Sequence, residues 1–278
     1  MSQTLSPGID ALRGWIGRAE TASDIVTPRL VRELNAALDS TSDIAPLALH
    51  WCLAPRAAPA SYIGRDGHPQ RGGFLPPVSL PRRMWASGKL TFHGHLATGD
   101  TVERHSTIAD VTVKEGRTGT LCFVAVDHEI ISPRGLAITE RQDIVYRELT
   151  PHAPETKPPR PAELPAPQWR RELRADPVLL FRYSALTFNG HRIHYDRDFA
   201  MTQEFYPGLV VHGPLQATLL LAFAAECLNR PPAYFEFRGV NPLFDFQSFD
   251  LGAVKAEDGL HLWVVSEDGV QTMDARAR

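Results

Sequence analysis

Thirteen consecutive residues, FNGHRIHYDRDFA from Phe188 to Ala200, hold Asn189, His191, Arg192, His194, Tyr195 and Asp196. An imidazole titrates near neutrality, so such a loop can take a proton from water and return one to carbon. A long apolar run follows, LVVHGPLQATLLLAFAAECL from Leu209 to Leu228, and His212-Gly213-Pro214 marks its start. Proline suits the first turn of a helix, whose free amides and dipole favour a developing oxyanion. Gly213 lets a ligand approach that backbone closely. A base on one side of a pocket and an oxyanion site on the other is the arrangement that chemistry beside a thioester carbonyl requires.

These groups need elements to hold them. Pro214 to Cys227 is apolar for only fourteen residues before Asn229 and two prolines, too short to span a bilayer, which takes roughly 20. It reads as a buried helix. Upstream, TPHAPETKPPRPAELPAP (150–167) is so rich in proline that it supports neither helix nor ladder. It divides the chain into residues 1–149, a linker at 150–167, and residues 168–278. In the first part, Thr27-Pro28 is an N-cap signal ahead of Leu30, Leu34, Ala37 and Leu38 at helical spacing. A loop region, Pro55 to Pro81, comes next. Alternation then predicts strands at Lys89–Leu96, Asp100–Val113, Gly119–Ile131 and Leu136–Tyr146. In the second part, Leu179–Leu186 is compatible with a strand or a short helix. Strands are expected at Tyr234–Val240, Phe249–Lys255 and Leu260–Ser266. Both parts run from helix to antiparallel strands, an α+β order that suggests duplication.

Composition narrows the function. The 278 residues are 43% hydrophobic and 22% charged with net charge -3, which argues against nucleic acid or an anionic membrane as the main partner. Three scattered cysteines, Cys52, Cys122 and Cys227, fit a reducing cytoplasm. The N-terminus lacks the pattern of a signal peptide. His93 and His95 share a strand face without a third ligand nearby, so no metal is expected.

The order N-x(4)-H-x-D followed by V-H-G-P-L-Q resembles the hydratase-2 motif of the MaoC-like hotdog family. WIGRAE (15–20), RGGFLPPVSLPRRMWASG (71–88) and ERQDIVYRE (140–148) extend the likeness to the double-hotdog members that hydrate itaconyl-CoA and mesaconyl-CoA. The family motif usually reads D-x-N-P-x-H-x-D; here Asn189 stands at the first aspartate and His191-Arg192 at the Asn-Pro pair. The resemblance implies an α+β double hotdog, two central helices each wrapped by an antiparallel sheet. It implies a catalytic second half and a first half that supplies the acyl pocket. The implied activity is a hydro-lyase giving citramalyl-CoA, with no cofactor beyond the CoA of its substrate. His194 would be the acid/base, Asn189 would orient the water, and the Gly213 amide would bind the thioester oxygen. A substrate carboxylate would need a cation, with Arg192, Arg82 and Arg83 as candidates and His191 as a further substrate contact. Asp196 and His212 read as structural, the first as a helix cap. The alternatives are a 3-hydroxyacyl-thioester dehydratase acting on acyl carrier protein, and a non-catalytic acyl-CoA-binding protein. The expected partner is an acyl-CoA thioester, with a homodimer as the assembly to look for.

Overall fold

Pro28 and Pro177 each open a ten-residue helix, preceded by a side chain that caps it. Thr27 Oγ1 accepts from the Leu30 amide at 3.1 Å, and Asp176 Oδ1 from the Leu179 amide at 2.8 Å. Each helix follows an edge strand, and this matched pair is the first sign of an internal repeat. The computed structural model describes residues 8–116, 119–148 and 161–278. Its strands are β1 (Ala19–Ile25), β2 (Arg82–Phe92), β3 (Thr101–Gly116), β4 (Gly119–Ser132), β5 (Gly135–Arg147), β6 (Trp169–Arg174), β7 (Tyr234–Gly239), β8 (Ser248–Ala256), β9 (Gly259–Ser266) and β10 (Gln271–Ala277). Its helices are α1 (Ile9–Arg13), α2 (Pro28–Ala37), α3 (Pro177–Leu186), α4 (Arg197–Thr202) and α5 (Gly213–Leu228).

The strands form one ten-stranded antiparallel sheet in the order β1-β3-β4-β5-β2-β7-β10-β9-β8-β6. Each half contributes the same path, first strand outermost and second strand at the centre. The halves meet where β2 pairs with β7, Ser87 opposite Arg238 through Thr91 opposite Tyr234. This is an α+β double hotdog built by one topology used twice. The strand spans read from alternation are present except that β2 both begins earlier and ends earlier than expected, residues 93–96 lying beyond it. Three strands carried no clear signal. The edge strands β1 and β6 are polar or charged, which protects an open edge from mispairing, and β10 reads QTMDARA. Leu179–Leu186 lies within a helix, α3.

The halves differ in their central helix. In the second, α5 is apolar on all sides and buries Leu215, Leu220, Leu221 and Phe223 against the sheet. It ends where Asn229 turns left-handed and the Arg230 amide returns to the Ala225 carbonyl. The first half has no counterpart of that length. Between α2 and β2 it runs as residues 38–81 with only short 3₁₀ turns at Leu49–Cys52 and Ala60–Tyr62. The expectation of a long helix in each half is corrected here. Polar contacts hold the irregular chain in place of helical packing. Buried Glu140 accepts from Trp51 Nε1 at 2.8 Å and Gln142 Nε2 at 2.9 Å. Against the cost of its burial, the bond and charge of His50, then the charge of His128 and the Gln142 bond, hold its carboxyl at about 2. Of the proline-rich linker, residues 150–160 lie outside the described residues. Residues 161–167 are irregular, with the Ala162 amide donating to the Gly269 carbonyl. Among the described residues no helix is long and apolar enough to cross a membrane.

The main core is shared: Leu34, Leu49 and Leu90 of the first half pack in one cluster with Leu220, Phe235 and Leu262 of the second. The two hotdogs are therefore expected to unfold together. Leu220→Ala, at a fully buried site, should cost about 2–5 kcal/mol. Urea unfolding followed by tryptophan fluorescence and by circular dichroism should show one displaced transition, not two.

Candidate active site

The loop after α3 is shaped by its own polar groups. Phe188 adopts a left-handed conformation at φ 51°, which ends the helix, and the Asn189 amide returns to the Ser184 carbonyl at 2.8 Å. Asn189 Oδ1 accepts from the His191 amide at 3.0 Å, an Asx turn. Asp196 caps α4 by accepting from the Phe199 amide, and its other oxygen takes Arg192 Nε and Nη2 at 3.0 and 2.7 Å. Between these anchors a single 3₁₀ turn, Arg192–His194, directs His194 inward, where it is 7% exposed.

His194 Nδ1 lies 2.7 Å from the Val210 carbonyl oxygen. A carbonyl only accepts, so Nδ1 carries the proton and Nε2 keeps its lone pair. Burial, with a smaller contribution from the charge of His68, brings His194 down to about 4 against the Val210 bond. At neutral pH it is an uncharged base with a fixed tautomer. Its ring stacks on His212 at 3.7 Å between centroids. His212 N-caps α5 and shares a 2.8 Å hydrogen bond with Ser184 Oγ, a structural position as its sequence context suggested. One residue on, the Gly213 amide has no acceptor among the described residues. A Cβ added there would meet only the Trp85 carbonyl, at 3.9 Å. Base and free amide thus stand at one helix start.

The first half reaches the same place through Arg65–His68, a stretch the sequence marked only as loop. The Arg192 amide donates to the Asp66 carbonyl at 2.9 Å and Arg192 Nη1 to the Arg65 carbonyl at 3.2 Å. Gly67, at φ 91°, lies so close to Gly190 that a Cβ would collide with the Gly190 carbonyl. Asp66 accepts from both the amide and Nδ1 of His68, at 3.1 and 2.8 Å. The His68 ring lies 4.2 Å from that of His191, which is 5.4 Å from that of His194. A Gly between a carboxylate and a histidine was the available clue, but the partner loop lies more than a hundred residues away.

The arginines separate clearly. Arg82 is committed to Glu204 and packs over the Tyr206 ring. Arg192 is committed to Asp196 and packs over Phe199. Arg71 donates to the carbonyls of Val78, Leu80 and Pro81. Two expected carboxylate binders, Arg82 and Arg192, are thus internal clamps. Arg83 faces the other way, because neighbouring strand residues project to opposite faces. It lies near buried Tyr146, its charge opposes protonation of His68 and His191, and it has no carboxylate partner among the described residues. Asn189 Oδ1 accepts one bond within its loop, and its Nδ2 donates to no acceptor among the described residues.

Asp66, His68 and His191 offer ligand atoms within 4.8 Å of one another. The nearby Arg83 cation and the two existing bonds from His68 to Asp66 make this a poor cradle for a metal cation. His93 bonds instead to Thr139. A groove of about 460 Å³ between α2 and α3 ends at Phe188 and includes none of these histidines.

The model of the family "hydroxyacyl-thioester dehydratase type 2" matches residues 48–245, which contain both loops, Arg83 and the start of α5. The chain belongs to the hydroxyacyl-thioester dehydratase type 2 family. As a member it is a hydro-lyase. Over 270 residues it is 44% identical to the mesaconyl-C(4)-CoA hydratase of Chloroflexus aurantiacus, covering 94% of this chain and 95% of that one. A solved MaoC-like dehydratase superposes with TM-score 0.72 at 15% identity, covering 96% of this chain and 98% of the other. A Mycobacterium tuberculosis protein with a double hotdog fold matches at TM-score 0.57 and 16% identity, over 98% and 97% of the two chains.

Burial of neutral imidazoles makes stability depend on pH. His191 and His212 are held well below their ordinary range by burial and neighbouring histidines, as His194 is. The unfolded chain takes up these protons near pH 6.5 while the folded one does not. Their contribution to stability is thus present above pH 6.5 and falls as pH drops toward 4. Urea midpoints measured between pH 8 and 5 should decrease in step with proton uptake. Gly67→Ala should separate the two loops and lower turnover at least tenfold in a folded protein, measured beside its circular dichroism spectrum.

Proposed function

We propose that this hydro-lyase adds water to a branched C5 dicarboxylyl-CoA, mesaconyl-CoA linked at its 4-carboxylate or itaconyl-CoA, to give citramalyl-CoA. The observation that carries this reading is Arg83. It lies near His68 and His191 and, unlike Arg82 and Arg192, has no carboxylate partner among the described residues, while Arg71 is taken up by backbone carbonyls. A guanidinium there suits the free carboxylate on the reacting carbon, which a fatty enoyl chain lacks. The 44% identity to a mesaconyl-C(4)-CoA hydratase supports the same substrate class.

In this reading the thioester oxygen lies at the Gly213 amide and the start of α5. His194 Nε2 takes a proton from water as the water oxygen bonds to the β-carbon, and the electron pair of the double bond moves onto the thioester as an enolate. The enolate collapses as its α-carbon takes a proton from an imidazolium of the site, His194 or a second histidine, and the N–H electron pair stays on nitrogen. Asn189 Nδ2 donates to the water oxygen, while Trp85 and Arg83 of β2 form the acyl side of the pocket. His191 contacts the substrate. Itaconyl-CoA carries its double bond one carbon further out and needs a proton shift before hydration. The three cysteines are free, which suits a cytoplasmic setting for such chemistry. The family description also supports the reverse direction, removal of water from a hydroxyacyl thioester.

His194→Gln should lower kcat by ~10²–10⁴ in a folded protein. Because His194 is active when neutral and is held at about 4, wild-type kcat/KM should keep its activity down to pH 5 on the acid side. Spectrophotometric hydration assays should find mesaconyl-C4-CoA or itaconyl-CoA turned over far faster than crotonyl-CoA. Arg83→Gln should raise KM mainly for the dicarboxylate. Equal or better rates on crotonyl-CoA would favour the fatty-acyl reading.

A further inference from the structure

One hydration requires two proton transfers, from water oxygen and to the α-carbon. The catalytic loop itself offers His194 and His191 but no available carboxylate: Asn189 does not titrate, and Asp196 is engaged by Arg192 and by the cap of α4. A carboxylate–imidazole pair enters from the other half instead. We propose that His68, held by Asp66, is the second proton carrier of this site, protonating the α-carbon during hydration and removing that proton in the reverse direction. The inference rests on the hydro-lyase reading above and concerns the division of its proton transfers.

The geometry supports it in three ways. First, the Arg65–His68 loop is seated on the catalytic loop by backbone, with two amide or guanidinium bonds from Arg192 and the Gly67–Gly190 approach, so its position is built in. Second, the Asp66 carboxylate accepts from His68 Nδ1. As in other carboxylate-oriented imidazoles, that bond fixes the ring, stabilises its protonated form and leaves Nε2 for the substrate. Third, the His191 ring lies 4.2 Å from that of His68 and 5.4 Å from that of His194, so the three imidazoles form one cluster. The substrate would lie along this cluster, within reach of a neutral base and of an acid.

The bonds balance. His194 Nε2 gains a proton as the O–H bond of water breaks and oxygen bonds to the β-carbon. The enolate then forms its Cα–H bond with the proton on His68 Nε2, and that N–H electron pair stays on nitrogen. The product carries both parts of water. The cycle closes when the proton on His194 passes to His68 by way of His191 or solvent. The charged and titratable groups around His68 are Asp66 and Arg71 of its own loop region, Arg83 of β2, and His191 and His194 of the catalytic loop. Burial and the Arg83 charge hold His68 below its ordinary range against Asp66. A substrate carboxylate paired with Arg83 offsets that charge when the proton is needed, so substrate choice and proton delivery are coupled.

The test compares full-length wild type, His68→Gln and Asp66→Asn from pH 5 to 9. It uses mesaconyl-C4-CoA, or crotonyl-CoA if that is the ester the wild type hydrates. For His68→Gln, kcat should fall ~10²-fold or more, with KM within about threefold. The alkaline limb of the wild-type kcat profile, where His68 loses its proton, should vanish. Asp66→Asn should lose roughly tenfold in kcat and move that limb to lower pH, and it decides the matter if His68→Gln does not fold. Wild-type kcat in folded His68→Gln, or a loss confined to KM with the pH profile unchanged, would overturn the proposal while leaving the hydratase reading intact. Activity lost on chelation and restored by zinc alone would overturn it in favour of a metal on Asp66, His68 and His191. Hydration of neither ester by wild type would overturn both readings.

Discussion

The hydrogen bond from His194 Nδ1 to the Val210 carbonyl determines what the rest of the site can do. It fixes which nitrogen carries the proton, and it ties the catalytic loop to the segment that leads into α5. That segment is itself held: the Val210 amide donates to the Ile193 carbonyl, the Val211 amide to Leu243, and Val210 bridges Phe244. Three residues after Val210 comes the Gly213 amide. The separation of His194 from the free Gly213 amide is thus set by a short, buried and doubly bonded stretch. The neutral state of His194 follows from the same burial that stabilises α5, so stability and the low pKa of His194 share one cause.

The repeated topology explains how a second set of groups reaches that base. Both halves follow one sheet path and both begin with an edge strand and a capped helix. The second half keeps a sixteen-residue central helix. The first has an irregular segment in the corresponding stretch of chain, pinned by Glu140 and by the Asn35 amide on the Ile44 carbonyl. Losing the helix costs regular packing but frees the chain to extend the Asp66–His68 loop across the junction. Arg83 follows at the start of β2, the strand that joins the two halves. A single hotdog of this type would have the base and the amide without the opposing carboxylate, imidazole and guanidinium.

Much of the fold was legible where physics acts locally. Alternation marked β3, β4 and β5, and Thr27-Pro28 marked α2. The edge strands were not legible, because a charged strand such as WRRELR is favoured at an edge for reasons unrelated to core burial. The ambiguity of α3 has a similar source: Leu180 and Tyr183 are buried while Val178 and Phe181 are exposed, so apolar residues occupy both faces. In the site, His194 and Gly213 were legible because they lie close along the chain. The sidedness of Arg82 and Arg83 depended on which face of β2 meets the histidines. Asp66 and His68 depended on a backbone contact between residues 67 and 190, which no local pattern encodes.

The central claim is that His194 is a neutral base with its proton on Nδ1. Histidine-selective ¹⁵N NMR, with the His194 signals assigned by their loss in His194→Gln, measures both properties directly between pH 8 and 5. The structure predicts one neutral Nδ1–H tautomer across that range, with protonation only toward about 4. A proton on Nε2, or an imidazolium forming near the ordinary value of about 6.5, would contradict the account.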